Sequence, residues 1–228
     1  MANNYYEGTG VLVLDSVTPV IEALFGAFAL DGNVPGNGHA YIAQIAESND
    51  PQWTDVLDGL EGLAKQLSIP MPDDQALSIP PLLERLAAHF GADRDEELEN
   101  LIEHHQFEDS ADLGALLLIA TCFNDGHNLA AIQFEGCWHC SKPRLFEFGG
   151  HGCYLSREIT VDRASSQAPQ LGDQLRKAIL AADVEEGSAL IALEATNLLA
   201  GIRDEQFRKV LRQRVADRLA QTPTISAA

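Results

Sequence analysis

The 228-residue sequence predicts an α+β fold, predominantly helical, with a small antiparallel β-meander of about three to four strands and a C-terminal helical segment. Three observations carry that expectation. Apolar residues recur at three- and four-residue spacing through most of the chain, the period falls to two between Ala130 and Val161, and the helical period then returns to the end. The organisation expected is an acidic α+β domain over residues 1–161 followed by a helical segment over residues 162–228.

Gly8 to Asp15 is a short β-branched run bounded by glycines, which reads as a strand. Thr18 then caps a helix with Pro19 in its first turn and Val20, Ile21, Leu24, Phe25 and Phe28 along one face, ending near Leu30. Asp31 to Gly38 is glycine-rich but lacks the Lys-Ser/Thr ending and the preceding strand of a phosphate loop, so it is expected to be a connector. Tyr41, Ile42 and Ile45 predict a helix to about Glu47. Asp50-Pro51 opens another, in which Trp53, Val56, Leu57, Leu60, Leu63, Ala64 and Leu67 repeat at helical spacing. Prolines between Ile69 and Pro81 mark a linker. Helices are expected at Pro81–Phe90, Asp93–His105 and Ser110–Phe123, the last apolar on most of its surface.

The meander is placed on Ile132–Trp138, Leu145–Phe148 and Cys153–Val161, separated by Ser141-Lys142-Pro143 and Gly149-Gly150. The residues from Asp162 to Gln170 read as a polar spacer. Helices at about Ala168–Ala182, Val184–Leu199 and Asp204–Ala220 complete the chain, and they form a candidate homo-oligomerisation unit.

Composition bounds the function. With 46% apolar residues and 21% charged ones, the chain can bury a core, which excludes a disordered acidic tail. No apolar run approaches the ~20 residues of a membrane span. The first residues, Met-Ala-Asn-Asn-Tyr-Tyr, lack the basic and apolar regions of a secretory signal, so a cytoplasmic protein without membrane partners is expected. The net charge of -19 is unevenly placed: residues 1–141 hold 23 acidic against three basic residues, whereas residues 142–228 hold 11 against 12. A protein adapted to high salt would carry its acid throughout.

The densest stretch contains Asp93, Asp95, Glu96, Glu97, Glu99, Glu103, Glu108, Asp109 and Asp112 against a single Arg94. Like charges at helical spacing repel by a few tenths of a kcal/mol each, and a basic partner relieves that cost. These nine residues are therefore the candidate partner-binding set, and the partner a basic protein surface, in particular that of a nucleic-acid-binding protein. Duplex DNA presents a charge every ~1.7 Å of axis, and a face studded with carboxylates can occupy the same cationic groove. The specific expectation is an inhibitor of a restriction or CRISPR-type nuclease, of the sort mobile elements encode. Basic and aromatic residues do share the meander (Lys142, Arg144, Arg157, Arg163, Trp138, Phe146, Phe148 and Tyr154), but the neighbouring acidity opposes direct nucleic-acid binding.

All four cysteines lie between Cys122 and Cys153, together with His127, His139 and His151. Cys137-x-x-Cys140 followed by His151-x-Cys153 offers two ligand pairs for a tetrahedral zinc, with His139 as a substitute for one of them. The bland reading is that Cys137 and Cys153 are small apolar residues of the meander. A zinc site would make the chain a hydrolase or transferase; otherwise no cofactor is implied. His104 and His105 lack the His-Glu-x-x-His spacing and fit a helix end. No serine sits in a nucleophile elbow, and no catalytic residue is assigned.

Overall fold

The computed structural model describes residues 4–70, 78–142 and 148–221. Strand β1 (Asn4–Val13) leads into helix α1 (Pro19–Phe25) and a 3-10 turn at Gly26–Phe28. Strands β2 (Asp31–Pro35) and β3 (His39–Ile45) follow, then helices α2 (Trp53–Gln66), α3 (Ile79–Phe90), α4 (Glu96–His104) and α5 (Leu113–Cys122). The chain returns through β4 (Ala131–Cys140), β5 (Gly149–Ser156) and β6 (Thr160–Ala164) before α6 (Gln167–Leu180), α7 (Val184–Ala200) and α8 (Glu205–Gln221). The six strands form one sheet in the order β2-β3-β1-β4-β5-β6, larger than the meander expected. Among the described residues no helix is long and apolar enough to cross a membrane.

β1 is central, pairing antiparallel with β3 on one side and with β4 on the other. Leu12, Ile132, Phe134, Ala40 and Ile42 turn the same face of the sheet towards the helices, where they join Trp53, Leu60, Leu83, Leu86, Leu116 and Phe123 in a single core. Gly8 and Gly10 lie beneath Phe134, whose ring fills the space a Cβ would need at either position. On the opposite face Glu7, Thr9, Gln133, Glu135 and Cys137 are exposed.

Two expectations are corrected here. Tyr41–Glu47 is not a helix: its residues lie mostly in β3, with Ala40 and Ile42 buried. A five-residue apolar run carries no length signal, and pairing with β1 decides it in favour of a strand. Asp31–Gly38 is more than a connector, because β2 pairs with β3 through Asp31–Tyr41 and Pro35–Ala40. The run Cys153–Val161 is divided between β5 and β6, and Leu145–Glu147 of the expected middle strand lie outside the described residues.

Side-chain acceptors fix the starts of α1 and α2. Gln52 and Asp55 form a reciprocal box at α2. Asp125, from the turn before β4, accepts from the Val20 N–H at the head of α1 (3.2 Å) and from the Thr18 hydroxyl (2.5 Å).

The chain divides into two compact units: residues 1–156 with 162–164, and residues 157–161 with 165–228. The second unit contains α6, α7 and α8. Within it, the Thr160 N–H donates to the Gly201 carbonyl (2.9 Å) and the Arg203 N–H to that of Glu158 (2.9 Å), tying residues 158–160 to the α7–α8 connection.

Candidate functional site

α4 is short and polar outside one stripe. Leu98 is its buried residue, while Glu96, Glu97, Glu99 and Glu103 are exposed. Glu96, Glu99 and Glu103 stand at i, i+3 and i+7, so they share a face. Against α3 the helix leaves a groove of about 190 Å³, with Ala87, Ala92, Leu98 and Ile102 along its floor and Glu84, Asp93, Asp95, Glu99 and Glu103 around it. Glu84 was no part of the sequence-derived set. It comes from another helix, and only the packing of α3 on α4 reveals it.

Two residues of that set have structural duties as well. Asp95 accepts from the N–H groups of Glu97 (3.1 Å) and Leu98 (2.9 Å), capping α4. Asp112 caps α5 through Gly114 (2.7 Å) and Ala115 (3.1 Å), and its other oxygen lies 3.5 Å from His105 Nε2.

Glu108 and Asp109 sit at the far end of α4, in a loop that is fastened down. The Trp53 N–H donates to the Asp109 carbonyl (2.9 Å) and the Ala111 N–H to that of Pro51 (2.9 Å). Phe107 and Asp109 both have positive φ, 51° and 58°. Such conformations cost free energy in a residue with a Cβ and persist where packing fixes them. Phe107 meets Trp53 edge-on at 4.9 Å and His105 at 4.4 Å, which supplies that packing. The structure thus gathers Asp93, Asp95, Glu99 and Glu103 at the groove and sets Glu108, Asp109 and Asp112 beside the start of α2.

The cysteines and histidines do not converge. Cys137 and Cys140 are three residues apart on one extended strand, which turns them to opposite faces. Cys137 is exposed and Cys140 buried. Cys153 pairs with Phe134 and His151 with Gly136, placing both on the face of Cys140 and away from Cys137 and His139. Among the described residues no three His, Cys, Asp or Glu side chains are arranged to hold a metal. A Cys-x-x-Cys pair grips one ion from a turn; on a strand the same spacing separates the thiols. Burial, with Asp162 adding to it, raises the Cys153 thiol above its usual pKa and so favours the protonated form. His127 is fully buried, its Nδ1 accepting from the Leu129 N–H (2.8 Å) and its Nε2 facing the Ala120 carbonyl at 3.1 Å.

The same end of the sheet assembles an aromatic cluster that the sequence reading missed. His151 stacks on Tyr6 at 5.8 Å and on Trp138 at 6.2 Å, and the Tyr6 hydroxyl lies 3.4 Å from His151 Nε2. Gly136 and Gly149 give the Tyr6 and Trp138 rings room to lie against the strands. Burial first, then the nearby Cys153, Cys137 and Asp162, pushes the Tyr6 phenol up to about 12, so it remains a neutral hydrogen-bonding group. The available signal was glycine alternating with aromatics across neighbouring strands, which becomes legible only when the register is known. Compared with protein-family models, with curated proteins and with solved structures, the chain matches none.

Proposed function

We propose that this chain is an acidic interaction module whose α3–α4 surface binds a basic protein surface, in the manner of a nucleic-acid mimic that blocks a nucleic-acid-binding protein. The observation that supports it most directly is the fixed presentation of carboxylate on α4. Four glutamates between Glu96 and Glu103 span roughly 10 Å at ~1.5 Å per residue. The three that share a face, Glu96, Glu99 and Glu103, have a mean axial spacing of about 5 Å at ~1.5 Å per residue, the same order as the ~3.4 Å rise between phosphates along one strand of B-DNA. Preorganisation strengthens the reading: the side-chain caps of α4 and α5 and a fastened loop mean that little backbone entropy remains to be lost on binding. The groove adds selectivity for lysine or arginine, since its floor is apolar along the length of a side-chain stem and its rim is anionic where the head would lie.

The test is competition. A restriction nuclease or CRISPR effector captured from the native host is titrated with the protein in the presence of labelled duplex DNA. Displacement of the duplex is expected, weakening by orders of magnitude as salt rises from about 50 to 200 mM. E96K/E99K/E103K should weaken it further, while charge reversal at Asp58 on α2 should not. Displacement indifferent to both salt and the triple substitution overturns the proposal. Asp95 and Asp112 are excluded from the test set because reversing them would also uncap α4 and α5.

A further inference from the structure

The second unit leaves its apolar residues uncovered. Of the 13 large hydrophobic residues exposed among the described ones, nine belong to α6, α7 and α8. Val184 is 82% and Ile191 58% exposed, and neither α7 nor α8 buries a single residue. A helix apolar on most sides is one that is covered in its functional state, and on α7 the exposed Val184, Ile191 and Leu198 recur every seven residues and so share one face, as at an interface.

Charge identifies what covers it. The second unit holds nine acidic and nine basic residues, whereas the first holds 25 against six. Two copies of the second unit can therefore meet without net repulsion, and within it the signs are unevenly placed, acid prevailing on α7 and base on α8. α7 carries Glu185, Glu186 and Glu194 with no basic residue, while α8 carries Arg208, Lys209, Arg212, Arg214 and Arg218 against Glu205 and Asp217. Between the two helices runs a groove of about 450 Å³, apolar on the α7 side at Leu199 and Ala200 and net cationic on the α8 side, where Arg208, Lys209 and Arg212 outnumber Glu205. A segment that is apolar along its length and acidic at its tip fits this groove, and the first turns of α7 have that character.

We propose that the chain forms a two-fold homodimer through the second unit, the acidic start of α7 from each copy lying in the α7–α8 groove of the other. Such an arrangement is self-complementary, as a closed two-fold contact must be. Nine exposed side chains contributing on the order of 100 Å² each supply on the order of 900 Å² per copy, against the ~800 Å² per partner of a standard interface.

The experiment is sedimentation and light scattering of the full chain across micromolar concentrations, with far-UV circular dichroism on every variant. A dimer is expected, its dissociation constant raised at least about tenfold by L193E and by K209E/R212E. Restoring the dimer by adding E185K/E186K to K209E/R212E would establish the reciprocal pairing, because in a two-fold contact all four changes meet at the same places. A wild-type chain that remains monomeric, or a dimer that these substitutions leave unchanged, overturns the proposal, as does a quadruple variant that stays monomeric with its helices intact.

Discussion

His127 exposes no surface and is held by two hydrogen bonds that suit one neutral tautomer, Nδ1 accepting from Leu129 and Nε2–H donating to Ala120. Burial depresses its pKa below the usual value, outweighing the opposing pull of Asp125. The unfolded chain therefore takes up a proton near pH 6.5, while the folded protein takes it up only at lower pH. Between those points the unfolded state binds more protons, so stability falls as pH drops below about 6.5 and stops falling, for this residue, once the folded pKa is passed. H127Q should be less stable than wild type at pH 7 and should lose less between pH 7 and about 5. Urea midpoints across that range test it, and parallel slopes would contradict the assignment. The cap at Asp112 makes a second residue-level prediction. D112A should cost about 1 kcal/mol, whereas D112N, which keeps an acceptor, should cost a few tenths; a similar loss for both would shift the weight to the contact with His105. Asp112 was legible as an acid but not as a cap, because Ser110 offered an equally good cap two residues earlier.

At the level of elements, the helices of the first unit were legible because each has a start signal and an apolar stripe, and all five expected with the right type lie close to their observed places. The strands were less so. β3 reads as a helix because Tyr41, Ile42 and Ile45 fit either period, and its identity depends on β1, 30 residues earlier at the register pair Val11–Tyr41, which it meets only after folding. The cysteine-histidine spacing depends on the fold in a related way: the sequence states how far apart the side chains are but not whether a turn or a strand separates them. The glycines of β1 give the pairing a test. In G8A the new methyl meets mainly the Phe134 ring, whereas in G10A it also meets the Gln133 carbonyl. Each should cost on the order of 1–3 kcal/mol as an overpacked site. Adding F134L should recover much of the loss in G8A and little in G10A, a coupling that a double-mutant cycle measures. Equal recovery in both would mean that the backbone contact at Gly10 yields freely.

For the molecule as a whole, the distribution of charge was the most durable inference from sequence, because it needs no fold: the acid belongs to the first unit and the second is neutral. What the sequence did not reveal is where the carboxylates are used twice. Asp95 and Asp112 each fix a helix while contributing charge to a surface, so the electrostatics and the stability of α4 and α5 are linked through the same atoms. Salt should therefore act on the molecule in two directions. It relieves repulsion within the helical layer, raising the stability of the free protein, and it weakens the binding of any cationic partner. A thermal midpoint that rises with salt while affinity falls is the expected pair of results, and a midpoint that falls would contradict the repulsion on which the reading rests.

The order in which the chain visits its two units has its own outcome. Residues 157–161 belong to the second unit, 162–164 return to the first, and 165 onward resume the second. One protease nick just after Ala164 would leave the pentapeptide covalently joined to the amino-terminal fragment yet still hydrogen-bonded through Glu158 and Thr160 to Arg203 and Gly201 of the carboxy-terminal one. The clipped protein should thus travel as one particle on a sizing column and as two bands on a denaturing gel, its halves laced together by a thread of five residues.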